Sequence, residues 1–191
     1  CFIEIDPGYH RTGLDPTNYS GIDEILATIA SDPLLTFHGV LCHSGQSYAA
    51  RSVPEIMKVY NDTLSLMHGL DKHYRKQFPN LVLSIGDTPT CAVTPDFKGI
   101  NEVRPGNMVF YDIMQVMIGS CTKEQIAIAM ACPVVAFNEE RQEIFVHGGG
   151  VHFSKDFLKR DDGATTFGDV VKLTANGWDT TAMPMYVKSL S

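Results

Sequence analysis

The chain has 191 residues, 44% of them apolar, enough to bury the core of one or two domains. A net charge of −7 with no basic stripe excludes a protein that works by neutralising nucleic-acid phosphates. No apolar run approaches the ~18 residues that span a bilayer. Five scattered cysteines without a Cys-x-x-Cys pair read as reduced thiols of a cytoplasmic protein rather than a disulfide framework.

In chain order, residues 1–6 (Cys-Phe-Ile-Glu-Ile-Asp) read as a buried strand that runs into a glycine-containing loop. The chain opens inside this apolar run, without methionine or leader, which predicts residues upstream of Cys1. Ser20 to about Ala30 forms a helix by its periodicity, with Ile22, Ile25, Leu26 and Ile29 on one face. Leu35–Cys42 is a strand ending at His43-Ser44-Gly45. A long helix starts at Val53-Pro54, where proline is tolerated in the first turn, and carries the stripe Ile56, Tyr60, Leu64, Met67, Leu70 and Tyr74. Leu81–Ile85 is the next strand, and Asn101–Tyr111 another, broken by Arg104-Pro105-Gly106. Alternating strands and helices with short loops imply βαβ units and a parallel sheet. Beyond residue 120 the texture turns β-rich. Ile126–Phe137 and Glu143–Val146 are joined as a hairpin by Asn138-Glu139-Glu140-Arg141, and Val170–Leu173 and Met185–Val187 are further short strands. The expected division is thus 1–120, α/β, and 121–191, mostly β.

Three strand-end segments carry the chemistry: Ile3-Glu4-Ile5-Asp6-Pro7-Gly8-Tyr9-His10-Arg11-Thr12-Gly13, Leu83-Ser84-Ile85-Gly86-Asp87-Thr88-Pro89-Thr90, and Glu102-Val103-Arg104-Pro105-Gly106-Asn107. Each sets glycine beside a hydroxyl or an arginine just past an apolar run. Backbone N–H groups exposed by glycine, together with Ser or Thr hydroxyls, make a phosphate cradle. Arginine adds a planar cation that keeps its proton. Gly-x-Gly-x-x-Gly and Gly-x-x-x-x-Gly-Lys-[Ser/Thr] are both missing, so neither a dinucleotide fold nor a P-loop is supported. His147-Gly148-Gly149-Gly150 has the wording of a hydrolase oxyanion hole, but no Gly-x-Ser-x-Gly accompanies it. The spacing of His147 and His152 is not that of a zinc site.

The order and wording of the three segments, through roughly residues 1–156, resemble the fold-type III pyridoxal-phosphate enzymes. These include the alanine racemases, and the chain looks most like their D-threonine aldolase and D-serine dehydratase-like branch. The resemblance implies an α/β fold: the C-terminal half of a cofactor-binding (β/α)8 barrel followed by a mostly β domain. A full barrel takes ~250 residues, and only about four β/α units are visible here. The implied catalytic residues are Arg11, Arg104, His43 and His152, the last as a proton donor or substrate contact. The implied cofactor-binding residues are Ser44, Ser84, Gly86, Asp87, Thr88, Gly106, Asn107 and Tyr111. Either Arg104 or Arg11 faces the pyridine nitrogen, where a permanent cation disfavours protonation and weakens the ring as an electron sink.

In such enzymes the Schiff-base lysine ends the first barrel strand. None of the nine lysines (58, 72, 76, 98, 123, 155, 159, 172, 188) stands in that context, so the lysine is expected upstream. Members of the branch bind a divalent metal through a His-x-Cys or His-x-Asp pair near the C-terminus. Neither pair occurs, so no metal is expected within these residues and any such ion is held outside them. The implied function is a pyridoxal 5'-phosphate-dependent lyase acting on D-amino acids, with amino-acid (alanine) racemase as the alternative. A non-catalytic pyridoxal-phosphate homeostasis protein is a third possibility, opposed by the β-rich residues 125–190. The implied partners are a small amino-acid substrate and a second copy in a homodimer, with no nucleic acid and no membrane. Expressed alone, residues 1–191 are expected to be insoluble or oligomeric, and inactive on D-amino acids. A soluble, cooperatively melting monomer in sedimentation and calorimetry would refute that expectation.

Overall fold

The computed structural model describes residues 1–160, 162–179 and 185–190. It divides into two units: Cys1–Val109 with Gln115–Cys121, and Phe110–Met114 with Thr122–Ser191. The first unit is α/β. Strands β1 (Phe2–Ile5), β2 (Gly39–His43), β3 (Val82–Gly86) and β4 (Glu102–Val103) form one parallel sheet in the order β1-β2-β3-β4. Helices α1 (Tyr19–Ser31), α2 (Val53–Tyr74) and α3 (Thr88–Val93) connect them in turn.

Local chemistry accounts for each helix. Asn18 caps α1 by accepting from the Gly21 N–H, and Ile22, Leu26 and Ile29 are buried. Ile25, expected on the same face, is 38% exposed. At 100° per residue it lies about 60° off the stripe axis, at the rim of the contact. Ser52 caps α2, Pro54 sits in its first turn, and Ile56, Tyr60, Thr63, Met67, Leu70 and Tyr74 are buried along it. These join Ile3, Ile5, Val40, Leu83 and Ile85 of the sheet, except Ile56 and Thr63, in one apolar core cluster.

Two strands are shorter than their composition suggests. β2 starts at Gly39, not Leu35, because Asp32 turns the chain: its side chain accepts from the Leu34 N–H and its carbonyl from Leu35. The ladder begins only where the His38 N–H reaches the Cys1 carbonyl at 2.7 Å. β4 stops at Val103, since Pro105 has no N–H for a ladder, and Asn107–Val109 winds into a 3-10 turn.

Among its described residues the second unit holds three two-stranded antiparallel ribbons: β5 (Val134–Asn138) with β6 (Glu143–Val146), β7 (Leu158–Lys159) with β8 (Thr165–Thr166), and β9 (Lys172–Thr174) with β10 (Gly177–Asp179). The hairpin of β5 and β6 closes through the expected polar turn. Its first strand is shorter than 126–137, because the ladder ends at Pro133, which only accepts, from His147 N–H. Ile126 and Ala127 are bonded elsewhere, to the Trp178 indole and the Phe110 carbonyl. Around 185–187 there is an isolated bridge, Asp169 to Tyr186, rather than a strand. No helix among the described residues is long and apolar enough to cross a membrane.

Met67 is fully enclosed in the core cluster. Met67→Ala is expected to lower the unfolding free energy by ~2–5 kcal/mol through lost burial and a residual cavity. Denaturant titration checks this; a loss within experimental error would mean that α2 does not pack as described.

Candidate functional site

Strand register builds the site in rows. Glu4, Leu41, Ser84 and Glu102 are paired across the four strands, as are Ile5, Cys42, Ile85 and Val103 one residue later. Because side chains alternate faces, the next row returns to the first face, at the carboxyl edge: His43 paired with Gly86, followed by Arg104. The Arg104 N–H still bonds the Ile85 carbonyl, which continues the ladder by one step.

Arg104 is held in that edge from two sides. Its Nε–H donates to Ser84 Oγ and its Nη2 to the Cys42 carbonyl, each at 2.7 Å. The guanidinium lies over Gly86, where a Cβ would stand 3.0 Å from Nη1 and 3.1 Å from Cζ. Glycine there is a matter of space for the cation.

Past β1 a tight loop presents Tyr9 and Arg11. The Asp6 carboxylate accepts from the Gly8 and His10 N–H groups at 2.9 and 3.0 Å. The chain returns to β1 through Asp6 N–H to the Leu14 carbonyl and Leu14 N–H to the Glu4 carbonyl. Gly13 has φ +103°, and a Cβ on it would stand 2.7 Å from Asp6 N, so only glycine closes this loop without strain. Tyr9 packs edge-on to His43 with centroids 5.7 Å apart, and the Arg11 guanidinium lies 5.6 Å from the centre of the Tyr9 ring.

His43 feels the charges of both Arg11 and Arg104. Burial lowers its pKa first, Arg11 next and Arg104 further, against the opposing charge of Asp87. The imidazole is neutral at neutral pH. Burial pushes the thiol of Cys42 up to about 12, which marks a core group and not a nucleophile.

The remaining residues singled out from sequence separate into groups. Ser44, Ser84, Asp87 and Thr88 are at most 2% exposed and bonded within the protein. Ser44 shares a hydrogen bond with Thr63, and Ser84 stands between Arg104 and Glu102. Asp87 caps α3, accepting from the Thr90 N–H and hydroxyl and from Ser47; burial raises its pKa, and those bonds pull it down. Thr88 Oγ1 accepts from the Asn107 N–H at 3.1 Å. These four form a buried, internally hydrogen-bonded frame at the carboxyl edge. Gly106 is exposed, and a Cβ on it would meet nothing within 4 Å. Tyr111, with φ 52°, and His152, whose N–H bonds the Gly149 carbonyl, belong to the second unit. The His152 ring lies 6.0 Å from that of His147.

Sequence reasoning passed over Tyr9, Ser47, Thr63 and Glu102. For Glu102 a signal was present: it precedes Arg104 by two on one strand, which puts both on one face.

No family model matches the chain. In fold, the chain matches an alanine racemase-like protein from Idiomarina loihiensis, with a TM-score of 0.70 at 24% identity over 90% of this chain and 48% of that one. A D-threo-3-hydroxyaspartate dehydratase from Delftia sp. HT23 superposes with a TM-score of 0.82 at 26% identity, covering all of this chain and 49% of that one. D-serine dehydratase of Dictyostelium discoideum is 32% identical over 162 residues, 81% of this chain and 41% of the relative. The chain thus spans less than half the length of the relatives it matches. The resemblance read from the strand-end segments is borne out: the relatives are dehydratases named for D-configured substrates, on an alanine racemase-like fold.

Arg11→Gln is expected to raise the His43 pKa toward the ordinary histidine value, by removing the larger of the two cationic influences on it. With a depressed folded value, His43 costs stability as pH falls below its unfolded value, because the unfolded chain then takes up the proton. Nuclear magnetic resonance titration of the ring reads the shift; an unchanged value would mean that Arg11 does not reach His43.

Proposed function

We propose that the protein carrying this chain is a pyridoxal 5'-phosphate-dependent lyase acting on D-amino acids, of the D-serine dehydratase and D-threonine aldolase kind. In this reading residues 1–120 form part of the cofactor-binding barrel and 121–191 belong to a β-rich domain. The observation that carries it is the Arg104 guanidinium fixed across the carboxyl ends of β2 and β3, with Arg11 and His43 on the same edge. The residues fit an anionic aromatic cofactor: two permanent cations, a neutral imidazole, and the open backbone at Gly106 that leaves room for a phosphate.

When bound, the cofactor supplies an electron sink for charge developing at the substrate Cα. Arg104 would offer a fixed cation to the ring nitrogen and disfavour its protonation. Arg11, carried by the Asp6–Leu14 loop, adds positive charge that orients a carboxylate or phosphate. Gly106 and Asn107 would bring backbone to the phosphate; for Tyr111 and His152 the reading keeps the cofactor-binding and proton-donor roles that the resemblance implies. The dehydratase names of the relatives favour elimination over racemisation.

Lys58 and Lys72 lie on α2, Lys76 follows it and Lys98 lies in the loop before β4; Lys58 is exposed and pairs with Asp62. We place the cofactor's lysine outside residues 1–191. A variant of a D-threo-3-hydroxyaspartate dehydratase is described in a metal-free form. Among the described residues of this chain no group of three or more His, Cys, Asp or Glu side chains could hold a metal, so in this reading a divalent metal is held by other residues. A homodimer and a cytoplasmic setting complete the reading; the free cysteines among the described residues suit a reducing compartment.

The expected result is cofactor-dependent ammonia release from D-serine or a β-hydroxy-D-amino acid, with L-isomers inert. Arg104→Ala should weaken cofactor affinity by ~1.5–3 kcal/mol, the worth of a hydrogen bond to a charged group. Borohydride fixation followed by peptide mapping should place the cofactor on a lysine other than the nine of this chain. A label on one of the nine, or equal turnover of both enantiomers, would overturn the reading.

A further inference from the structure

Glu102 has no role in the reading above, yet it stands in direct line with the cation on which that reading rests. It pairs with Ser84 across β3 and β4, so both side chains point to the face that Arg104 occupies one row further on. Arg104 Nε–H donates to Ser84 Oγ at 2.7 Å, Ser84 Oγ donates to Glu102 Oε1, and that carboxylate oxygen lies 3.6 Å from Arg104 Nε. Ser84 is fully enclosed.

The direction of this chain is fixed by counting protons. A guanidinium only donates, so the serine oxygen must accept from Nε. The single hydroxyl proton is left for Glu102, which as a carboxylate only accepts. Both bonds are charge-assisted, and each strengthens the other by polarising the shared hydroxyl. Nε and Nη2 are thereby committed to Ser84 and to the Cys42 carbonyl, whereas Nη1 makes no hydrogen bond to the described residues. With Gly86 beneath its plane, the guanidinium has one orientation, and Nη1 is the nitrogen with both of its protons left for a ligand.

We infer that Glu102 is a positioning residue that acts through Ser84 to lock the Arg104 guanidinium and reserve Nη1 for an anionic or ring-nitrogen acceptor. The role assigned to Nη1 rests on the cofactor reading; the lock itself does not. Its charge also distinguishes two variants. Glu102→Gln keeps an amide oxygen that can accept from Ser84, so orientation survives, whereas Glu102→Ala removes the acceptor and frees the hydroxyl.

The test uses the protein without added cofactor and follows the Arg104 Nε–H signal by nitrogen-15 resonance, assigned from its loss in Arg104→Lys. Exchange with water is expected to accelerate about ten-fold or more in Glu102→Ala and Ser84→Ala and to change less than about three-fold in Glu102→Gln, the scale of one charge-assisted hydrogen bond. Glu102 is 44% exposed in its side chain, so Glu102→Ala carries the test if the enclosed Ser84 does not tolerate replacement. A second measurement titrates pyridoxal 5'-phosphate: affinity should fall about ten-fold in Glu102→Ala and be largely restored in Glu102→Gln. Unchanged exchange in Glu102→Ala overturns the inference whatever the cofactor does. Altered exchange in a protein that binds no pyridoxal phosphate even as wild type confirms the lock and overturns the cofactor reading instead.

Discussion

A cation that cannot lose its proton, set at the edge of a closely packed parallel sheet, has to be given partners there. Arg104 is that cation, and much of the first unit's carboxyl edge is arranged around it. Ser84 and the Cys42 carbonyl satisfy two of its donors, Gly86 clears the space beneath its plane, and Glu102 supplies the opposite charge one row below. Arg104 keeps about a third of its side chain in solvent, 35%, so water shares with these partners the task of satisfying the charge. The packing of the strands and the placing of the charge are therefore one problem with one solution.

The solution depends on register. Parallel pairing with no slip among β1, β2 and β3 carries alternate residues to opposite faces, so one set meets the helices and forms the apolar core. The other set meets the site. A shift of one residue in β4 would send Arg104 and Glu102 to the helix side and Val103 to the site. The short β4, halted by Pro105, is pinned against this by the Asn101 side chain, which accepts from the Leu83 N–H at 2.9 Å.

Electrostatics at the edge follows from the same geometry. The proton of His43 is disfavoured by burial first, and by the like charges of Arg11 and Arg104. Asp87 is close enough to oppose this, yet it is tied up in the cap of α3 and in the Ser47 hydroxyl.

The helices α1 and α2, three of the parallel strands and the glycine–arginine segments were legible in the sequence, because each rests on local rules: apolar period, capping residue, proline or glycine at a turn. Arg11, Arg104, His43 and Gly86 were found at strand ends for the same reason. Strand ends were less legible, since Asp32 and Pro105 stop β2 and β4 through individual hydrogen bonds or their loss. What only the tertiary structure decided was which polar groups are enclosed. Ser44, Ser84, Asp87 and Thr88 share their residue types with a phosphate cradle, but Thr63, Glu102, Thr90 and Asn107, remote in sequence or a turn away, reach them first. A hydroxyl has the same chemistry in a cradle and in a frame. Only the neighbours brought by the fold determine which bond it makes.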